Sequence, residues 1–124
     1  MTASWTGSED AVADCLFCKI AAGAIPSDQV YEDDAVFAFR DIAPQAPVHV
    51  LVVPRRHVSS LDGLRDDPDL AGRLLTAAAN VARLEGVHAT GYRVAVNHGR
   101  HGAQTVGHVH LHVLGGRQLE GELG

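Results

Sequence analysis

Three histidines alternate with apolar residues in His108-Val109-His110-Leu111-His112-Val113-Leu114. That period of two belongs to a β-strand and not to a helix. At roughly 3.3 Å of rise per residue, alternate side chains share a face about 6.5–7 Å apart. The segment therefore predicts a strand with one imidazole face, while Val109, Leu111 and Val113 supply the core face. A row of imidazoles does little for the stability of a fold this small, so the row points to function.

The chain has 124 residues, which suits one domain with one core. No stretch approaches the ~20 consecutive apolar residues of a membrane span. Residues 1–13 are small and polar with acidic members, and lack the basic-then-apolar pattern of a secretion signal. They read as a loose tail on a cytoplasmic protein. Net charge is −5, and the single lysine and nine arginines are not clustered. A protein that grips a long phosphate backbone presents a basic face, so nucleic acid is not the expected partner. A small anion remains compatible, because imidazolium and backbone N–H groups can hold one phosphate. The two cysteines, Cys15 and Cys18, form C-x-x-C. In a cytosolic chain that spacing points to a redox pair or a metal site rather than a structural disulfide.

Along the chain, Asp14 is placed to cap a short helix over residues 15–22, with Gly23 as its stop. Residues 30–31 and 35–39 read as strands separated by an acidic turn, and residues 48–53 as a strand closed by Pro54. Asp67-Pro68 is a strong helix start. Leu70, Leu74, Leu75, Ala78, Val81 and Ala82 keep the helical period from there. Residues 92–97 alternate as a strand, and the Gly-rich loop 97–105 leads into the histidine strand. A strand meander with one long inserted helix predicts an α+β fold: an antiparallel sheet of about five strands with helices on one face.

The segment Thr105-Val106-Gly107-His108-Val109-His110-Leu111-His112-Val113-Leu114-Gly115-Gly116 resembles the signature of the histidine triad (HIT) family. The blocks Leu16-Phe17-Cys18-Lys19-Ile20, Val30-Tyr31-Glu32-Asp33-Asp34, Phe39-Arg40-Asp41-Ile42 and Pro44-Gln45-Ala46-Pro47-Val48-His49-Val50-Leu51 resemble its Hint-like branch. The resemblance covers residues 14–118, which would form the HIT domain between the tail 1–13 and a C-terminal tail 119–124. It implies a homodimer with a continuous sheet.

The resemblance also implies a nucleotidyl hydrolase or transferase acting at the α-phosphate of purine nucleoside phosphoramidates or related adenylate conjugates. His110 would attack phosphorus and carry the nucleotide covalently, which suits imidazole, a good nucleophile near neutral pH. His112 would stabilise charge or pass a proton, Thr105 would assist the leaving group, and His49 would orient the nucleophile's surroundings. Gln104 and Asn97 match phosphate-side ligands, and Asp41 matches the group that binds the ribose hydroxyls. Phe17, Ile20, Phe39, Ile42 and Leu51 match the apolar wall around the base. Bacterial members similar to this chain hold structural zinc through residues that match Cys15, Cys18, His57 and His108. Such a shell is closed and tetrahedral, so no catalytic metal is expected.

The chain also departs from the pattern. Gly107 stands where an aromatic residue is frequent, Ala103 where glycine often sits, and the tryptophan–proline ending of close Hint relatives is absent. The rival readings are a dinucleoside polyphosphate hydrolase, a nucleotide-binding interaction protein with incidental turnover, and a histidine-rich metal carrier. The interleaved apolar residues disfavour the last.

Overall fold

The computed structural model describes residues 14–121. The expected tail over residues 1–13, and residues 122–124, lie outside them. The elements run α1 (Leu16–Ala21), β1 (Gln29–Glu32), β2 (Val36–Arg40), β3 (Val48–Pro54), a 3-10 turn (Leu61–Leu64), α2 (Pro68–Leu84), β4 (Tyr92–Val96) and β5 (Leu111–Gly115). All five strands form one antiparallel sheet in the order β1-β2-β3-β5-β4. The fold is α+β, as expected. After α2 the chain enters at the sheet edge as β4 and returns as β5 between β4 and β3.

Alternation along each strand sorts the side chains onto two faces. Val36, Ala38, Val50, Val52, Leu111 and Val113 pack under α2, against Leu70, Leu74, Ala78 and Val81. Each such Leu or Val contributes roughly 1.5–3 kcal/mol by leaving water. Asp67 starts α2 as expected: its Oδ1 accepts from the Leu70 amide at 3.1 Å, and Pro68 follows. Leu75 is a correction, being 61% exposed. It lies one residue, about 100°, past Leu74, which turns it off the buried stripe.

The other face carries Phe37, Phe39, Leu51 and Val53, and α1 packs there through Phe17 and Cys18. The long helix thus covers one face, while the short one lies against the opposite face rather than beside it. Its cap also differs from expectation. Asp14 is exposed, and Cys15 is the N-cap, its sulfur accepting from the Cys18 amide at 3.4 Å. A sulfur acceptor replaces the usual oxygen there, which sequence rules for caps do not anticipate.

The histidine strand is shorter than its pattern. β5 begins at Leu111, so only His112 of the three histidines lies within it. The chain before it is held differently: the Val109 amide donates to the Val58 carbonyl at 2.7 Å, and the His108 carbonyl accepts from the His110 ring. Even so, Val109, Leu111 and Val113 all enter the α2 core.

Candidate active site and metal centre

His112 pairs in register with Leu51 of β3, and His49 lies two residues before Leu51 on the same face. The two rings are therefore diagonal neighbours. Nε2 of His49 lies 2.9 Å from Nδ1 of His112, and Asp41 Oδ2 lies 3.5 Å from the same His49 nitrogen. Asp41 is fixed from both ends: its amide donates to the His49 carbonyl at 3.0 Å and its Oδ1 accepts from the Ala43 amide at 2.9 Å.

The proton positions follow from the backbone partners. The Gln45 amide donates to Nδ1 of His49 at 3.1 Å, so that nitrogen carries a lone pair. Burial pushes the His49 pKa down, with Asp41 partly opposing. Burial, then the neighbouring His110 and His49, bring His112 down to about 4 against the pull of Asp41. Both rings are thus neutral near pH 7. Neutral His49 holds its proton on Nε2 and gives it to Nδ1 of His112, which leaves the His112 proton on Nε2.

His110 is set by a different backbone group. Its Nδ1 donates to the His108 carbonyl at 2.8 Å. In the neutral ring, Nε2 is then the lone-pair nitrogen. The buried ring stands edge-to-face with Phe17, centroids 5.1 Å apart, and 5.0 Å from the ring of His112. His49 bonds to His112, whereas the His108 carbonyl orients His110.

Cys15, Cys18, His57 and His108 bring their ligand atoms within 4.8 Å of one another. Nδ1 of His108 lies 3.3 Å from Cys15 Sγ and 3.6 Å from Cys18 Sγ, and Nδ1 of His57 lies 3.3 Å from Cys18 Sγ. His108 Nε2 donates to the Pro54 carbonyl at 2.9 Å, which turns the Nδ1 lone pair toward the sulfurs. That outer hydrogen bond is what a metal-binding histidine needs. Burial lowers the pKa of His57, and brings that of His108 down to about 4, so both stay neutral, the form that coordinates. The thiols are buried and not joined in a disulfide. Two sulfurs and two imidazoles fit a closed tetrahedral metal shell. The four residues can hold a metal ion.

Asp41, His49 and His112 also lie within metal-ligand range of one another. Coordination through His49 Nε2 would, however, put the proton on Nδ1, facing the Gln45 N–H. The backbone favours a hydrogen-bonded relay at that cluster over a metal.

The remaining expected site residues divide into three groups. Asn97 Nδ2 donates to the Gly102 carbonyl at 2.7 Å. Gln104 accepts from the Gly99 amide at 2.9 Å and donates to the carbonyls of Ser59 and Val106 at 2.7 and 2.9 Å. Both amides are thus engaged in bracing their own loop. Ala103 sits at φ +62°, the left-handed region that glycine would occupy without strain. Thr105 is exposed beside Cys15, His57 and Gly107, and no hydrogen bond joins it to the histidine rings among the described residues. Phe17, Phe39 and Leu51 are buried at 3, 6 and 6% exposure, a floor beneath the histidines, with Ile20 packed partly against them. Ile42 is fully exposed, next to Asp41. A hollow of about 590 Å³ lies between the α2–β4 turn and the C-terminal segment, but none of the histidines lines it. The partners that sequence reasoning missed are the Gln45 amide and the carbonyls of His108 and Pro54. Backbone groups carry no side-chain signal.

Among known proteins, the HIT domain family matches residues 22–119. A purine nucleoside phosphoramidase of Escherichia coli is 48% identical over 105 residues, covering 84% of this chain and 88% of that one. An uncharacterised HIT-like protein of Synechococcus elongatus is 48% identical over 107 residues, covering 86% and 93%. The crystal structure of a HIT family hydrolase from Legionella pneumophila superposes with a TM-score of 0.86 at 46% identity, over 90% of this chain and all of that one. A histidine triad protein from Clostridium difficile gives 0.87 at 43%, over 90% and 98%. With the triad, its relay and the sheet that presents them in place, the chain belongs to the HIT domain family.

Proposed function

We propose that this HIT protein hydrolyses purine nucleoside phosphoramidates, or related adenylate conjugates, at the α-phosphate. The observation that supports the reading is the 2.8 Å bond from His110 Nδ1 to the His108 carbonyl, which in the neutral ring leaves on Nε2 the lone pair that a nucleophile needs. The similarity to a purine nucleoside phosphoramidase supports the substrate class.

In this reading His110 Nε2 attacks the α-phosphorus as the bond to the amine breaks, and the amine leaves with a proton. The nucleotide is then held on His110 through a P–N bond. Water attacks the same phosphorus, releases the nucleoside monophosphate and restores the imidazole. His112, with its proton on Nε2, stabilises the phosphoryl oxygens or supplies the proton. Asn97 and Gln104 brace the 97–105 loop, whose backbone N–H groups would hold the non-bridging oxygens, and Thr105 would assist the leaving group. Asp41 accepts from the ribose hydroxyls, and Ile42, bare in water, gains cover from the base. Phe17, Phe39 and Leu51 close the site from below.

Cys15, Cys18, His57 and His108 would hold zinc, which contributes fold stability and takes no part in bond making. We further propose a homodimer in which the edge strand β4 continues the sheet into a second copy. Its exposed Tyr92 and Val94 leave apolar surface at that edge. The proposed domain spans residues 14–118 and acts in the cytoplasm, where the C-x-x-C thiols stay reduced. Among the described residues no helix is long and apolar enough to cross a membrane. The test is a rate panel of adenosine and guanosine phosphoramidates, acyl-adenylates and a dinucleoside polyphosphate. Phosphoramidates should lead; a dinucleoside polyphosphate far ahead would overturn the assignment.

A further inference from the structure

The end of β5 is tied to the loop that supplies the partner of His49. Beyond Gly115 the chain turns at Gly116, whose φ is +90°. A Cβ at that position would meet Pro47 Cβ at 2.9 Å, so the two segments touch closely there. This approach delivers Arg117 to residues 41–48. One guanidinium nitrogen of Arg117 donates to the Gln45 carbonyl at 3.1 Å, and the other to the Gln118 carbonyl at 3.0 Å.

Gln45 thus stands between two ties. Its carbonyl accepts from Arg117, and its amide donates to Nδ1 of His49 at 3.1 Å. Pro44 and Pro47 carry no N–H and offer the ring no substitute. If the Gln45 amide leaves, Nδ1 of His49 is free to hold a proton, and its Nε2 becomes an acceptor. The bond to His112 can then reverse, against the pull of Asp41 Oδ2 on a His49 Nε2 proton 3.5 Å away, with Nδ1 of His112 donating at the same 2.9 Å contact. His112 would turn a lone pair, rather than an N–H, outward on Nε2. Facing phosphoryl oxygens, that reversal exchanges attraction for repulsion.

We propose that Arg117 is a positioning residue for the His49–His112 relay: by holding the Gln45 carbonyl it keeps the Gln45 amide on His49 and so fixes the protons of both histidines on Nε2. The effect on tautomers stands on these contacts alone, while its effect on rate rests on the proposed function.

The experiment uses the full-length protein labelled with nitrogen-15 and long-range proton–nitrogen correlation of the imidazole rings, first without substrate. The wild type should show Nε2–H for both His49 and His112. Arg117→Met keeps a long side chain but no donor, and should convert a substantial share of both rings to Nδ1–H. Its kcat on adenosine phosphoramidate should fall roughly tenfold with KM within about twofold, part of what a positioned proton donor contributes. Arg117→Lys retains a donor and should restore both readouts. Should Arg117→Met not fold, Arg117→Leu, which also has no donor, is expected to give the same shift. Wild-type tautomers in the donor-less variants would overturn the proposal. Shifted tautomers with an unchanged rate would instead uphold the positioning role and overturn the part assigned to His112 in the reaction.

Discussion

The His108 carbonyl accepts from Nδ1 of His110 at 2.8 Å, while the ring of His108 places its own Nδ1 3.3 Å from Cys15 Sγ. One residue therefore joins the sulfur cluster to His110. Phe17, between the two cysteines on α1, reinforces the link by standing edge-to-face with both His108 and His110.

That link predicts how the protein responds to metal removal. Purified protein should hold about one zinc per chain, and not two, because the Gln45 amide opposes a metal at Asp41, His49 and His112. Chelation should cost about 2 kcal/mol of stability or more, lowering Tm by roughly 10 °C, and should slow turnover several-fold as His108 loosens. Cys15→Ser should lower zinc content and Tm together. Elemental analysis and thermal melts check this; unchanged melting after chelation would contradict it.

Stability should also depend on pH through His112. Its pKa is about 4 in the folded protein against 6.5 for the unperturbed group, chiefly from burial, with His110 and His49 adding to the shift and Asp41 opposing it. Between those values the unfolded chain binds the extra proton and the folded chain does not. The contribution is therefore complete above about pH 6.5 and is lost as pH falls toward 4, on the order of 2 kcal/mol. Urea midpoints for the wild type and His112→Asn across that range should converge in acid. Parallel curves would show that His112 does not carry the dependence.

Asp41 offers a test of ribose recognition. Its Oδ1 already accepts from the Ala43 amide, and its Oδ2 faces His49, but a carboxylate has further lone pairs for two hydroxyls. Adenosine substrates should exceed their 2′-deoxy counterparts by ~1–3 kcal/mol in kcat/KM, roughly five- to 150-fold. Asp41→Asn should shrink that ratio. Equal rates for the two sugars in the wild type would remove Asp41 from the ribose role.

Much of this was legible from residue types. Asp67-Pro68 announced α2, and the alternation of Val109, Leu111 and Val113 gave the core face of the histidine segment. The C-x-x-C pair and the resemblance gathered four ligand residues that the fold does bring together. The parts that were not legible share a cause. Cys15 replaces Asp14 as the cap, β5 starts at Leu111, and Gln45, His108 and Pro54 act through their backbones. Periodicity reports which way side chains face. It says nothing of where an amide or carbonyl finds its partner once the chain leaves regular structure. Leu75 was misplaced for a simpler reason: an apolar residue at the margin of a helical stripe fits the pattern whether or not anything covers it.

The central claim is that His110 forms the bond to phosphorus, and turnover of adenosine phosphoramidate by His110→Asn tests it most directly. Asparagine retains polarity and similar reach but has no nucleophilic nitrogen. The account predicts a fall in kcat of ~10³-fold or more, with adenosine monophosphate still bound at near wild-type affinity as proof of an intact site. Turnover within tenfold of the wild type would contradict the covalent mechanism.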